Sequence, residues 1–117
     1  MSADAAPTPH RVFSYGTLQL ESVQRANYGR VLSGEPDRLT GYAITTIQIR
    51  DPAVLDASGI EEHLALVPDA NAPPIDGMVF ALSDAELAAT DVYESENYAR
   101  VAAPLASGRT AWVYVKA

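Results

Sequence analysis

The sequence predicts an α+β fold: a small mixed, mostly antiparallel sheet curled into a barrel, with two or three short helices beside it. Three observations carry this expectation. Short runs rich in β-branched and aromatic residues recur along the chain, only two stretches read as helices, and the two kinds do not alternate in regular strand–helix–strand units. At 117 residues the length favours one domain with a core of its own.

In chain order, residues 1–10 are small, polar and proline-containing, which predicts a disordered leader before a single domain over residues 11–117. Arg11-Val-Phe-Ser-Tyr15 is a strand candidate that stops at Gly16. Glu21 to Tyr28 reads as a helix with Gly29 as its C-terminal cap, and Ser33-Gly-Glu-Pro-Asp37 as a turn. Gly41 to Ile49 has the composition of a long strand. Leu64 to Val67 and Met78 to Leu82 are shorter strands, joined by the loop Pro68 to Pro74. Ser83-Asp-Ala-Glu86 is a capping box, in which hydroxyl and carboxylate each satisfy a backbone N–H at the helix start; the helix it opens runs to about Tyr93. Tyr98 to Ala102 and Ala111 to Val115 finish the domain as strands joined across Ser107-Gly108, and Asp51 to Ile60 is read as a loop.

Composition removes several function classes. Eight Lys+Arg against fifteen Asp+Glu give a net charge of −7, and the cations are spread singly, so no basic stripe for nucleic acid is expected. The longest apolar runs, such as Met78 to Leu82, fall far short of a membrane span. Zero cysteines exclude disulfides, thiolate nucleophiles and Cys-type zinc sites. The first ten residues lack a basic segment followed by an apolar one, so no signal peptide is read there and the expected location is cytoplasmic. No GxSxG turn, GxGxxG or P-loop occurs. His63, after Glu61-Glu62, reads as part of a solvated patch and as dispensable.

Two features remain. Phe13-Ser14-Tyr15-Gly16-Thr17-Leu18 runs a strand into a glycine turn that could present backbone N–H groups to a carbonyl or carboxylate oxygen, or serve the fold alone. In Thr90-Asp91-Val-Tyr93-Glu94, Asp91 and Glu94 share a helical face with Leu87, which turns Glu94 inward at the helix end. The same spacing also allows Glu94 simply to close the helix in a pair with Arg100.

Together, and in this order and spacing, the two features resemble the γ-glutamylcyclotransferase superfamily, in particular its AIG2-like branch. The resemblance runs from Val12 to Val115. It rests on Tyr15-Gly16-Thr17-Leu18 and on Asp91-x-Tyr93-Glu94 followed by Tyr98-x-Arg100. Leu39-Thr-Gly41-Tyr42, Asp76-Gly77-Met-Val-Phe80 and Ala111-Trp112-Val113-Tyr114 support it. Thr90 departs from the family, which usually has Leu before the Asp.

The resemblance implies that Tyr15, Gly16, Thr17 and Leu18 bind the γ-glutamyl head, largely through backbone groups, and that Glu94 is the catalytic acid/base. Asp91, Tyr98 and Arg100 would stand behind them as supporting residues. The implied reaction releases 5-oxoproline from a small γ-glutamyl compound as its α-amine attacks its own γ-carbonyl, with no cofactor and no metal. The expected partner is that small molecule, with neither nucleic acid nor membrane involved. Two alternatives stand beside this reading: a binding or regulatory module that keeps the pocket without catalysis, and a hydrolase in which Glu94 activates water. Burial at the cavity mouth and like-charge repulsion from Asp91 are both expected to push the pKa of Glu94 upward. Asp51 to Ile60 and Pro68 to Pro74 are expected to form the pocket rim.

Overall fold

A computed structural model describes residues 7–94 and 97–117. Consecutive residues of the central strands are buried on opposite faces, as the two-residue period of a strand requires. The five-stranded sheet runs in the order β2 (Gly34–Leu39), β5 (Ile75–Leu82), β1 (His10–Ser14), β7 (Thr110–Lys116), β6 (Tyr98–Pro104). Val12, Phe80 and Tyr114 belong to one buried cluster; their neighbours Phe13, Val79 and Val113 belong to the other. The first cluster takes Val23 from α1 (Glu21–Tyr28), Val54 from α2 (Pro52–Ser58) and Leu87 and Tyr93 from α3 (Asp84–Glu94). The second takes Leu66 from the separate hairpin of β3 (Tyr42–Gln48) and β4 (Glu62–Pro68). Ile49, just beyond β3, packs in the first cluster, so the hairpin serves both.

The fold class is the expected α+β with a mixed, mostly antiparallel sheet; the parallel pair is β1 with β7. The sheet stays open rather than closing: β2 and β6 form its two edges, and the hairpin is a second sheet. Gly77 shows why glycine sits in β5. A Cβ there would collide with the Ser14 carbonyl and the Phe13 ring, so β1 and β5 can approach only without it.

Helix α1 has the expected bounds, closed by Gly29 at φ 69°. The capping box is formed: Ser83 N–H donates to Glu86 (2.9 Å) and Glu86 N–H to Ser83 Oγ (3.1 Å). Three expectations are corrected. Residues 34–39 form β2 rather than a turn; Pro36, which lacks an N–H, is tolerated because β2 is an edge strand. Asp51 to Ile60 is not a loop but holds α2, with Asp51 accepting from Ala53 N–H (2.9 Å), Pro52 in its first turn and Gly59 closing it. His10, assigned to the leader, opens β1 and pairs with Asp84 (2.6 Å). The first six residues of that leader lie outside the described residues. Among the described residues no helix is long and apolar enough to cross a membrane.

Candidate active site

The strand–turn after β1 and the end of α3 meet in one cavity, walled by Tyr15, Gly16, Thr17 and Leu18 on one side and by Glu94, Tyr98 and Tyr114 on the other. His63 and Leu64 of β4 close it.

The turn is a single 3-10 turn, Thr17–Gln19, tied down at four points. Tyr15 Oη donates to the Tyr114 carbonyl (2.6 Å), Gln19 to the Ser14 carbonyl (2.9 Å) and Gln24 to the Leu18 carbonyl (2.8 Å). The hydroxyls of Thr17 and Tyr93 are 2.9 Å apart, which fastens the turn to α3. The N–H groups of Thr17 and Leu18 have no backbone partner among the described residues, as the first turn of any helix leaves them. Gly16 sits at φ −140°, not in the left-handed region, and a Cβ there would meet no protein atom within 4 Å. Its freedom of φ is therefore not what this position uses; the open space in front of it is.

Glu94 is the last residue of α3 and only 7% exposed, on the face with Leu87 and Thr90. No described residue donates a hydrogen bond to its carboxylate, and burial pushes its pKa up to about 8. The cause is desolvation alone, so the expected repulsion from Asp91 is not at work. Asp91 points elsewhere: it accepts from Tyr114 Oη (2.6 Å) and pairs with Arg100 (3.1 Å). Arg100 also lies over the Trp112 ring, 4.3 Å from its centroid. The alternative Glu94–Arg100 pair is thus not formed. Asp91 and Arg100 stand behind the cavity wall and touch it through Tyr114. Thr90 is fully buried, and its hydroxyl is satisfied by the Glu86 carbonyl (2.8 Å) and Tyr28 Oη (2.6 Å).

The tyrosines have a common logic. Tyr15 and Tyr98 donate to the carbonyls of Tyr114 and Leu64, each at 2.6 Å. Their hydroxyl oxygens are left as acceptors, suited to an ammonium group. Burial raises the pKa of both, with Glu94 adding to the shift, so they remain neutral.

His63 corrects the sequence reading. It is 3% exposed and hydrogen-bonded to Ser58 Oγ (3.1 Å), with a pKa held down by burial, whereas Glu61 and Glu62 are exposed. Its position depends on α2, which the sequence reading treated as a loop. Sequence reasoning gave no site role to Gln24 or Tyr114; nothing local marks Gln24, while Tyr114 was read as part of a strand and of a motif supporting the resemblance. The expected rim segment Pro68 to Pro74 contributes no residue to this cavity. Among the described residues no cluster of His, Asp and Glu has the makings of a metal site.

A family model described as gamma-glutamyl cyclotransferase, AIG2-like, matches residues 12–117. A comparison with curated proteins returns no match. Among solved structures, a solution structure of an Arabidopsis thaliana protein is similar with a TM-score of 0.70 and 24% identity, over 96% of this chain and 66% of that one. A structure titled gamma-glutamyl cyclotransferase is similar with a TM-score of 0.69 and 12% identity, over 92% of this chain and 66% of that one. An uncharacterized Homo sapiens protein gives a TM-score of 0.70 and 13% identity, with the same two coverages. This chain therefore spans just under two thirds of the length of these three, and at such identities they share its fold. With the family model covering all but the first eleven residues, the chain belongs to the AIG2-like gamma-glutamyl cyclotransferase family.

Proposed function

We propose that the protein is a cyclotransferase that releases 5-oxoproline from a small γ-glutamyl compound, with Glu94 as its acid/base. The observation that carries this is the buried carboxylate of Glu94, its pKa raised by desolvation, in one cavity with the Thr17 and Leu18 N–H groups, which have no backbone partner among the described residues. In this reading Thr17 and Leu18 N–H hold the substrate carboxylate or the developing oxyanion. The Tyr15 and Tyr98 oxygens receive the α-ammonium. That cation beside Glu94 favours the ionised form of the carboxyl, whose proton passes to solvent as the substrate binds, and the carboxylate then takes an ammonium proton.

The freed amine attacks the γ-carbonyl of the same molecule, forming the lactam C–N bond. Nucleophile and electrophile share one molecule, so holding the folded conformer supplies much of the advantage. As the bond to the departing nitrogen breaks, Glu94 returns its proton to that nitrogen, and the attacking nitrogen gives up its second proton, so the lactam leaves neutral and the amine leaves as its ammonium ion. A group with a pKa near 8 can do both halves of this transfer at neutral pH. The free space beside the carboxylate is about 20 Å³, room for little more than a water molecule. A γ-glutamyl group therefore enters only as side chains around the cavity shift, with the wall at His63 and Leu64 staying anchored by Ser58 and Tyr98.

The test is a panel of γ-glutamyl amides incubated with wild type and Glu94→Gln, with 5-oxoproline and glutamate both quantified. Wild type should yield 5-oxoproline, and the Gln variant should turn over roughly 10² to 10⁴ more slowly. Glutamate as the product would mean hydrolysis. A folded Gln variant that cyclises at near wild-type rate would remove Glu94 from the chemistry.

A further inference from the structure

The cavity at Glu94 does not end at its walls. Gly16, Thr17, His63 and Leu64 line it from one side and, from the other, a groove of about 210 Å³ that opens to the surface. To this groove Leu20, Ile60 and Glu62 are added. Leu20, Ile60 and Leu64 are 36%, 40% and 38% exposed, and they come from three separate segments: the end of the 3-10 turn, the turn after α2, and β4. Large apolar side chains that converge beside a site, unburied, are placed for a ligand rather than for the core.

We infer that this groove receives the side chain of the leaving group, and that the preferred substrates are γ-glutamyl compounds whose departing amine carries a branched aliphatic or aromatic side chain. The inference rests on the cyclotransferase reading and deepens it. In that reading the γ-glutamyl head occupies the cavity, so the scissile bond points out of it and the departing group lies against the walls shared with the groove. The wall between them is held in place: Tyr98 Oη fixes the Leu64 carbonyl at 2.6 Å, and Ser58 fixes the His63 ring at 3.1 Å. Neither space is lined by Arg or Lys, and the one charged residue of the groove is Glu62, which accepts from Gln48 (3.1 Å) at its rim. An acidic side chain would find no countercharge there and one like charge.

The test measures kcat/KM for γ-glutamyl derivatives of leucine, phenylalanine, glycine, glutamate and lysine, with 5-oxoproline as the readout. Leucine and phenylalanine derivatives should exceed the glycine derivative by about tenfold or more, and the glutamate derivative should be poorest. In Leu20→Ser/Ile60→Ser the leucine-to-glycine ratio should fall to within about twofold of unity; both side chains are exposed, so a matching thermal unfolding curve is the control for folding. A wild-type leucine-to-glycine ratio near one overturns the groove assignment while leaving cyclotransferase activity standing. So does a preference for the lysine or glutamate derivative, or a ratio that the double variant leaves intact. Absence of 5-oxoproline from every derivative overturns the cyclotransferase reading and this inference with it.

Discussion

Glu94 turns a cost of folding into a chemical property. Its carboxyl keeps its proton up to about pH 8 in the folded chain, whereas in the unfolded chain it ionises near 4.5. Between those values the unfolded state has lost a proton that the native state still holds, so stability falls as pH rises from about 4.5 to about 8. His63 acts in the other direction: its depressed pKa removes stability as pH falls through about 6.5. Glu94→Gln deletes the first effect and leaves the second. The Tm of the variant minus that of wild type should therefore widen between pH 5 and pH 8.5, by an amount equivalent to a few kcal/mol. Parallel Tm profiles would mean that Glu94 is not buried as a neutral acid. The proposed chemistry predicts the matching kinetic signature: kcat/KM should climb with pH through about 8 as the free enzyme ionises, and a profile flat from pH 6 to 9 would contradict it. Gly16 supplies a cleaner probe of the binding loop. A methyl group there meets no protein atom, so Gly16→Ala should unfold within about 1 kcal/mol of wild type. A raised KM in that variant would then report crowding of the ligand; an unchanged KM would take the turn away from the substrate.

At the scale of elements, legibility followed locality. Glu21–Tyr28 was readable because its punctuation lies within the segment, and so was α3, whose capping box and Leu87 spacing turn Glu94 inward. The same kind of punctuation, Asp51-Pro52 at one end and Gly59 at the other, stood in the sequence for α2. What holds α2 is long-range: its buried Val54 packs with residues from distant segments. Reading α2 as a loop carried His63 with it, since the imidazole is buried only where α2 supplies Ser58. Strand β2 was misread because Gly34, Pro36 and Asp37 favour turns in isolation, and only pairing with β5 makes them a strand. The close approach of β1 and β5 at Gly77 carries its own prediction. Gly77→Ala must push the Ser14 carbonyl or the Phe13 ring aside, and should cost about 1 to 3 kcal/mol. Ser14 immediately precedes the site turn, so turnover should fall as well. A Gly77→Ala protein with wild-type Tm would show that the two strands have slack.

Across the whole molecule, the two buried clusters share one sheet, and the hairpin of β3 and β4 belongs to both. Neither cluster can be lost without exposing the reverse face of the same strands. Far-UV circular dichroism follows the helices on one side, while fluorescence of Trp112, the single tryptophan, follows β7. The two thermal transitions should coincide; separated midpoints would show that the helices come away from a sheet that is still folded. The parallel pairing of β1 with β7 has a further consequence for how the protein is made. Val12 emerges from the ribosome a hundred residues ahead of its partner Trp112, and such non-local closure is slow. During synthesis β1 waits with one edge unpaired, and Tyr15 waits for the Tyr114 carbonyl that anchors it. The pocket thus stays incomplete until β7 has been translated, and no fragment that stops short of β7 contains it.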